Sequence, residues 1–230
     1  MEDKIINIKN LNYSYPDGTA ALYDINLEIR EGESLGIIGS NGAGKSTLLL
    51  HFNGILCGSG EIDIFGEKLT DKNLAQIRGA VGLVFQDPDS QLFMPTVSED
   101  VGFGPRNMGM PEHEIDKSVH RALEEVDMLP ALKRSSHHLS VGEKKRIAIA
   151  TVLSMNPQIL VMDEPSSNLD PKHRRELIVL LNRLKMTKII ATHDLDLIAQ
   201  TCSRVVLMQE GKIIGGGSCP EFLAKAAALC

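Results

Sequence analysis

Short apolar segments alternate with turn residues along the chain, and their spacing predicts an α/β fold. Near the N-terminus apolar side chains occupy alternate positions, as at Ile25, Leu27 and Ile29, which is the period of half-buried strands. We expect the first forty residues to form a small antiparallel sheet leading into a buried strand. Further strands are predicted at residues 60–66, 81–85, 159–162, 188–191 and 204–208.

A period of three to four residues predicts helices between some of these strands. Apolar residues recur in this way at Ile115, Val119 and Leu123, and again from Leu177 to Leu184. Strands alternating with helices of this length predict a parallel sheet covered on both faces. After a final hairpin, Gly215 to Gly217 are expected to release the chain into a short helix.

Composition narrows the class of protein. Of 230 residues, 43% are hydrophobic, which is ample for a packed core, and the formal net charge of -6 argues against nucleic acid as the main partner. No apolar run approaches the length of a membrane span, so we expect any membrane role to be peripheral. The four cysteines lack CxxC spacing and are expected to be reduced thiols.

The segment GSNGAGKST, residues 39–47, lies between two apolar runs and fits the pattern GxxxxGK[S/T]. Its glycines allow consecutive amide groups to turn inward around an anion. Lys45 is expected to reach the terminal phosphates, Ser46 to hold magnesium and Thr47 to bond the phosphate nearer the sugar. The predicted ligand is a nucleoside triphosphate with Mg2+. The predicted contacts are Gly39, Ser40, Asn41, Gly42, Ala43, Gly44, Lys45, Ser46 and Thr47.

The segment ILVMDE, residues 159–164, places two carboxylates at the C-terminal end of a buried strand, where open parallel sheets bind ligands. Asp163 is expected to hold the magnesium through its water shell. Glu164 is expected to orient and deprotonate the water that attacks the terminal phosphate. The alternative is that the pair only caps the turn before Pro165.

The segment LSVGE at residues 139–143, called the signature segment below, precedes a predicted helix. Ser140 and Glu143 have the spacing of a capping box, which accounts for a well-formed helix N-terminus without any ligand. The alternative is that this N-terminus, with the Ser140 hydroxyl and the Gly142 amide, binds a second anion.

Taken in order, GSNGAGKST, Gln86, LSVGEKKR, ILVMDEP, SSNLD and ATHD resemble the nucleotide-binding subunit of ATP-binding cassette (ABC) transporters over nearly the whole chain. The resemblance implies a P-loop NTPase (RecA-like) core with a parallel sheet, an antiparallel β subdomain and an inserted helical subdomain. Within one ABC ATPase domain, residues 1–86 and 158–215 would form the core with its β subdomain. Residues 87–157 would form the helical subdomain and residues 216–230 a C-terminal helix.

The same resemblance assigns roles to residues that would bind nucleotide within one subunit. Tyr15 resembles the aromatic that stacks on adenine, although Tyr13 competes for this role and Tyr15 could be an ordinary residue of a strand edge. Gln86 resembles the glutamine that senses magnesium. His193 resembles the switch histidine that bonds the terminal phosphate, against the alternative of a solvated histidine at a strand end. The implied reaction is ATP hydrolysis.

Other residues would act across a head-to-tail dimer that holds two ATP molecules. Ser140 and Gly142 match residues that contact the terminal phosphate of ATP in the opposite subunit, and Asp170 matches the loop that crosses the interface. The signature segment departs from the usual LSGGQ at Val141 and Glu143. Valine would be strained if its position required a positive φ. The partner could be a second copy or a paralogous ATPase.

A narrower resemblance covers residues 87–105, which are similar to ATPases of energy-coupling-factor importers. It implies import of cobalt, nickel or a vitamin at the cytoplasmic face of a prokaryotic cell membrane, with an integral membrane scaffold protein and a substrate-capture protein as partners. Gln91 matches an extra glutamine of this group, or else is a solvated loop residue. The surrounding stretch would form the groove for a scaffold helix.

Three other functions are considered. The chain could serve another ABC importer or an exporter, which only the segment around Gln91 argues against. A soluble cassette acting on DNA or ribosomes would show a tandem cassette or a basic surface, and a binding module without turnover would lack Glu164 or His193.

We also expect Lys144, Lys145 and Arg146 to form a solvated or packing face. Solvated side chains are expected for His51, His113, His120, His137, His138 and His173.

Overall fold

A computed structural model describes residues 4–227. The strands are β1 (Lys4–Ser14), β2 (Ala20–Arg30), β3 (Ser34–Ile38), β4 (Ser59–Ile64), β5 (Glu67–Lys68), β6 (Val81–Val84), β7 (Ile159–Asp163), β8 (Thr187–Ala191), β9 (Arg204–Gln209) and β10 (Lys212–Ser218). The helices are α1 (Lys45–His51), α2 (Leu74–Ala80), α3 (Val97–Asn107), α4 (Glu112–Glu125), α5 (Val141–Leu153), α6 (Pro171–Arg183), α7 (Leu195–Thr201) and α8 (Cys219–Ala227).

The central sheet has the strand order β10-β9-β3-β8-β7-β6. Its inner pairs are parallel and only the edge pair β10 with β9 is antiparallel. Alternate residues of β7 pack on opposite faces, since Leu160 belongs to one hydrophobic cluster and Val161 to the other. The prediction of a parallel sheet covered on both faces is confirmed. Because β3, β7 and β8 are parallel neighbours, the segments that follow them meet at one edge of the sheet.

The second sheet is antiparallel, with the order β2-β1-β4-β5. Ile8 of β1 faces Leu27 of β2 on one side and Ile62 of β4 on the other, so the alternating apolar residues form one buried layer. This is the small sheet predicted from the N-terminal pattern. It packs over α1 and thereby covers the side of the glycine loop.

Helices α3, α4 and α5 form the helical region between β6 and β7. Their apolar faces meet around Val101, Val119, Leu123 and Ile147, all of them buried. No described helix is long and apolar enough to cross a membrane.

The prediction for Gly215 to Gly217 was wrong. These glycines continue β10, pairing in order with Leu207, Val206 and Val205. A strand ladder uses backbone groups only, so residues without side chains can extend it. Helix α8 accordingly begins at Cys219. Cys57, Cys202 and Cys219 are free thiols in the part of the chain that the structure describes, and Cys230 lies outside it.

Candidate active site

The glycine loop joins β3 to α1 and encloses a lysine. A Cβ at Gly39 would lie 2.3 Å from the carbonyl oxygen of Met208, so the close approach of two backbones requires glycine here. Gly44 ends the loop with a φ of 96°, in the left-handed region. Lys45 Nζ folds back and donates to the carbonyl oxygens of Gly39 (2.8 Å) and Ser40 (3.2 Å). The loop therefore surrounds a buried cation.

A cleft of ≈ 500 Å³ opens over this loop and collects residues from separate parts of the chain. Ser140, Gly142 and Asp170 are not among the described residues that line it. The lining consists of Tyr15, Thr19, Ala20, Ala21, residues 41–47, Gln86, Glu164 and His193.

Tyr15 borders the cleft, whereas Tyr13 lies behind it. The Tyr15 hydroxyl shares a hydrogen bond of 2.8 Å with Thr47 Oγ1. The Tyr13 ring packs edge-on between the rings of Tyr15 and His51, with centroid distances of 5.1 and 5.0 Å. Of the two candidate tyrosines, Tyr15 is thus the one that can meet a ligand in the cleft.

His51 was expected to be solvated, and this was wrong. Its side chain is fully buried and its Nδ1 lies 2.7 Å from the carbonyl oxygen of Thr47, one helical turn earlier. Burial lowers the pKa of His51. The apolar run Leu48–Leu50 before it was the signal that this end of α1 faces the core.

Asp163 ends β7 beside Ser46, the first hydroxyl residue of α1. Burial raises the pKa of Asp163, and a hydrogen bond with the Ser46 side chain opposes the rise. Asp163 Oδ1 is buried and has no hydrogen-bond partner among the described residues. A hydroxyl next to an unpaired carboxylate oxygen is a donor set that suits a hard divalent cation.

Glu164 points its carboxylate into the cleft instead of capping the turn before Pro165. Its Oε2 accepts a hydrogen bond from the Thr192 hydroxyl (2.8 Å) and lies 3.0 Å from His193 Nδ1. Its Oε1 lies 3.6 Å from Lys45 Nζ. One carboxylate oxygen is thus held by the segment after β8, and the other faces the lysine of the glycine loop.

No pattern in the sequence indicates what holds the His193 segment in place. Asp194, the next residue, accepts two hydrogen bonds from the Arg174 guanidinium (2.7 and 2.5 Å) and one from the Ser166 hydroxyl (2.9 Å). The Arg174 hydrogen bonds lower the pKa of Asp194 from 3.8 to about 2. This ion pair connects α6 to the start of α7 and leaves His193 itself exposed at the cleft.

The capping box predicted in the signature segment is present in the structure. Ser140 is the N-cap of α5: its Oγ accepts from the Glu143 amide (3.3 Å), and Glu143 Oε2 accepts from the Ser140 amide (2.8 Å). Val141 is the first residue of α5 and is not among the non-glycine residues with positive φ. The backbone strain considered for valine is therefore absent.

Asp170 is the N-cap of α6 and lies at the protein surface. Its Oδ1 accepts from the amides of Lys172 (2.8 Å) and His173 (3.0 Å), and its Oδ2 lies 2.5 Å from His173 Nδ1. His173 is thus paired and partly buried, not solvated as expected.

Two polar residues for which the sequence left a solvated position open face inward. Gln91 is no solvated loop residue, since its Nε2 donates to the Ala148 carbonyl (2.9 Å) and the Thr151 hydroxyl (2.7 Å) of α5. Lys145, also on α5, is 6% exposed and donates to the carbonyl oxygen of Glu164. Its position three and four residues before Ala148 and Ile149 placed it on the buried stripe of the helix, a signal that the neighbouring charges obscured.

These features together define a P-loop nucleotide-binding ATPase: a glycine loop between a strand and a helix, a lysine within the loop, and two carboxylates at the end of β7, another parallel strand of the same sheet. The family model for ABC transporters matches residues 22–167. The chain belongs to the ABC transporter family, and it is an ATP hydrolase of that family.

The relatives extend this similarity over nearly the whole chain. It is 50% identical over 226 residues to an energy-coupling factor transporter ATP-binding protein of Methanococcus maripaludis, covering 96% of this chain and 81% of the relative. A solved structure of CbiO1 from Clostridium perfringens, described as part of the ABC transporter complex CbiONQ, has 44% identity and a TM-score of 0.89, covering 99% of this chain and 93% of that one.

A more distant solved structure is the ATP-binding cassette MJ0796 as a dimer in a post-hydrolysis state with ADP and Pi. It has 28% identity and a TM-score of 0.83, covering 93% of this chain and 98% of that one.

Proposed function

We propose that this ATPase, with Mg2+, drives import of a small substrate, a cobalt or nickel ion or a vitamin, as a subunit of an energy-coupling-factor transporter. The observation that carries the hydrolytic part is the buried Glu164 carboxylate, held between Thr192, His193 and Lys45 inside the cleft. The names of the relatives support the importer part.

The contacts of Glu164 support different tasks for its two oxygens. Oε2 is engaged by the Thr192 hydroxyl, so Oε1 is the oxygen free to accept a proton from the attacking water. The water oxygen forms a bond to the terminal phosphorus, the bond to the bridging oxygen breaks, and ADP leaves. Lys45 neutralises charge on the terminal phosphates during this step, and His193, on the other side of the Glu164 carboxylate, bonds the terminal phosphate.

The residues near Asp163 fit a magnesium ion. The buried, unpaired Asp163 Oδ1 and the adjacent Ser46 hydroxyl are hard oxygen donors, and a cation there would offset the cost of burying the carboxylate. Gln86, at the edge of the same cleft, would complete this set. When bound, the ion supplies neutralisation of the phosphate oxygens.

The position of the signature segment supports a dimer. Ser140, Gly142 and Asp170 lie outside the cleft of their own chain and at or near the ends of α5 and α6. We assign them to the ATP held by a second subunit, either a copy of this chain or a paralogue. The dimeric state of MJ0796 shows that a cassette of this fold can pair.

An exposed aromatic cluster, formed by the rings of Phe93 and Phe103, supports contact with a membrane protein. Phe93 is 58% exposed, and its ring meets the Phe103 ring edge-on at 5.0 Å. Phe85 and Met108 are also exposed. An apolar cluster of this kind suits the apolar face of a helix from an integral membrane scaffold. The chain would then sit peripherally at the cytoplasmic face of the membrane.

The test uses a tagged Glu164→Gln variant expressed in the native cell, with membranes solubilised in the presence of ATP and bound proteins identified by mass spectrometry. Purified Glu164→Gln should hydrolyse ATP at least about 100-fold more slowly than wild type. Co-purification of a small integral scaffold with a substrate-capture protein would support the proposal. Recovery of only soluble proteins, or of a large two-subunit permease, would reject the importer assignment.

A matched pair of variants tests the docking cluster. Phe93→Ser in the Glu164→Gln background should lose the membrane partner while still binding ATP. Val179→Ser is the control, because Val179 is equally exposed, at 59%, but lies on α6. If both variants retain the partner, the aromatic cluster is not the contact.

A further inference from the structure

Lys145 forms a buried junction between three separate segments. Its ammonium donates to the carbonyl oxygens of Gln86 (3.2 Å) and Glu164 (3.0 Å) and to the Ser167 hydroxyl (2.9 Å). An ammonium has three N–H donors, so these contacts satisfy it fully. A buried lysine is uncommon unless its charge and its donors are both compensated.

The contact with Glu164 acts on an unusual backbone. Glu164 has a φ of 44°, which a residue with a side chain adopts only when its surroundings enforce it. Its amide donates to the Ala191 carbonyl (2.8 Å), and its carbonyl oxygen accepts from Lys145, from the Ser167 hydroxyl (2.8 Å) and from the Ser167 amide (3.1 Å). Lys145 therefore helps to fix the peptide that aims the Glu164 carboxylate into the cleft.

The contact with Gln86 joins the other side of the site. Gln86 follows β6 and begins the helical region, and its side chain borders the cleft. Lys145 lies on α5, whose first turn is the signature segment. A displacement of α5 would therefore strain or break the hydrogen bonds from this ammonium group to the carbonyl oxygens of Gln86 and Glu164.

Lys145 is not itself part of the cleft. It is not among the described residues that line it, so it does not contact the nucleotide space directly. Burial lowers the pKa of Lys145 to about 8, while the carboxylates of Glu164, Asp87 and Asp163 oppose this shift. The Lys145 ammonium thus lies near three carboxylates and the Ser167 hydroxyl, and it contacts the backbone of Glu164, not its carboxylate.

We propose that Lys145 is a positioning residue for hydrolysis, which transmits the position of α5 and its signature segment to Glu164 and Gln86. The proposal rests on the proposed role of Glu164 as the general base. It predicts a loss of turnover without a matching loss of ATP affinity, because the hydrogen-bond partners of Lys145 do not include the glycine loop that would hold the phosphates.

The test measures kcat and KM for ATP on the purified full chain. Lys145→Met keeps the length of the side chain and removes its donors; we expect kcat to fall about 10- to 100-fold with KM within about 2-fold of wild type. Lys145→Gln, which retains two N–H donors, should recover part of the lost kcat. Lys117→Met, an exposed lysine on α4, is the control and should match wild type.

Thermal unfolding of Lys145→Met shows whether the variant still folds, which separates a positioning role from a general structural role. If Lys145→Met does not fold, Ser167→Ala, which removes one anchor of the same peptide, takes its place and should also lower kcat with KM unchanged. Wild-type kcat in both variants, or a KM that rises in proportion to the fall in kcat, overturns the proposal. Wild-type kcat in Glu164→Gln would instead refute the general-base role, so the two failures are distinguishable.

Discussion

The ring of His173 packs directly on Gly142. A Cβ added to Gly142 would lie 2.6 Å from both the Cγ and Cδ2 atoms of the His173 ring, closer than real Cβ contacts. The ring cannot easily withdraw, because its Nδ1 is bound to Asp170. The signature segment of α5 and the N-terminus of α6 are therefore fitted to each other through a glycine and a histidine.

We expect Gly142→Ala to lower the free energy of unfolding by about 1–3 kcal/mol, the usual cost of overpacking. His173→Ala in the same chain should restore most of this loss by making room for the methyl group. Urea unfolding of both single variants and the double variant measures the effect. Equal stability of Gly142→Ala and wild type would show that the ring moves aside freely.

The activity of the double variant gives separate information. If Gly142 meets phosphate in a second subunit, its methyl group obstructs that contact even after His173 is removed. We expect Gly142→Ala/His173→Ala to regain stability but not kcat. Full recovery of kcat would place the role of Gly142 in packing alone.

The Arg174–Asp194 pair should make stability depend on pH in the acid range. The pKa of Asp194 is lowered to about 2 in the fold, so its contribution is present above 3.8 and is lost as the pH falls toward 2. A shift of this size corresponds to about 2 kcal/mol, which screening of this partly exposed pair reduces to about 1 kcal/mol.

Arg174→Met should therefore be less stable than wild type at pH 7, and the difference should shrink below pH 4. Urea midpoints measured between pH 7 and pH 3 follow it. Arg183→Met is the control: the Arg183–Asp127 pair is about half exposed on both sides, and its loss should cost less than about 0.5 kcal/mol. A difference that is constant over this pH range would contradict the assignment.

Much of the site could be predicted because its chemistry is local in sequence. Fewer than ten consecutive residues make up each of three features: the glycine loop, the carboxylates at the end of β7 and the capping box at Ser140. Their spacing can be recognised in the sequence. The helical period places Lys145 on the buried stripe of α5, but its contacts could not be found in this way. Its partners Gln86 and Ser167 lie 59 and 22 residues away, and only the packing of α5 against the sheet brings them together.

Two other features, the end of β10 and the burial of His51, were harder to predict for a related reason. Gly215 to Gly217 have no side chains to show a period, yet their backbone groups complete the ladder of β10 with β9. A solvated His51 is predicted because it has no metal-ligand partner at a useful spacing in the sequence, whereas its place on α1 buries it against the Tyr13 ring. In both cases tertiary contacts outweighed the local preference of the residue.

Tyr15 should contribute to ATP affinity through its ring, not through its hydroxyl. Tyr15→Phe retains the ring and frees Thr47 Oγ1 from its hydrogen bond, so we expect KM for ATP within about 2-fold of wild type. Tyr15→Ala should raise KM by about 10-fold, since base–aromatic stacking contributes about 1–3 kcal/mol. Tyr13→Phe serves as the control. An unchanged KM in Tyr15→Ala would exclude stacking by this residue.

Asp100 connects the stability of α3 to the shape of the aromatic cluster. Its side chain is 3% exposed, and Oδ1 accepts from the amides of Phe93 and Met94, both at 2.9 Å. Oδ2 is buried without a hydrogen-bond partner among the described residues. Burial raises the pKa of Asp100, so folding disfavours its ionised form and stability falls as the pH rises through the raised pKa.

Asp100→Asn preserves the acceptor and carries no charge, so at pH 7 it should be at least as stable as wild type, with the difference vanishing near pH 4. Asp100→Ala leaves two backbone amides unpaired and should lose about 1–3 kcal/mol. Urea unfolding at both pH values distinguishes the variants. Because the turn at Phe93 depends on these bonds, the alanine variant alone should also fail to retain the membrane partner. If the asparagine variant is instead less stable than wild type at pH 7, the buried charge is favourable.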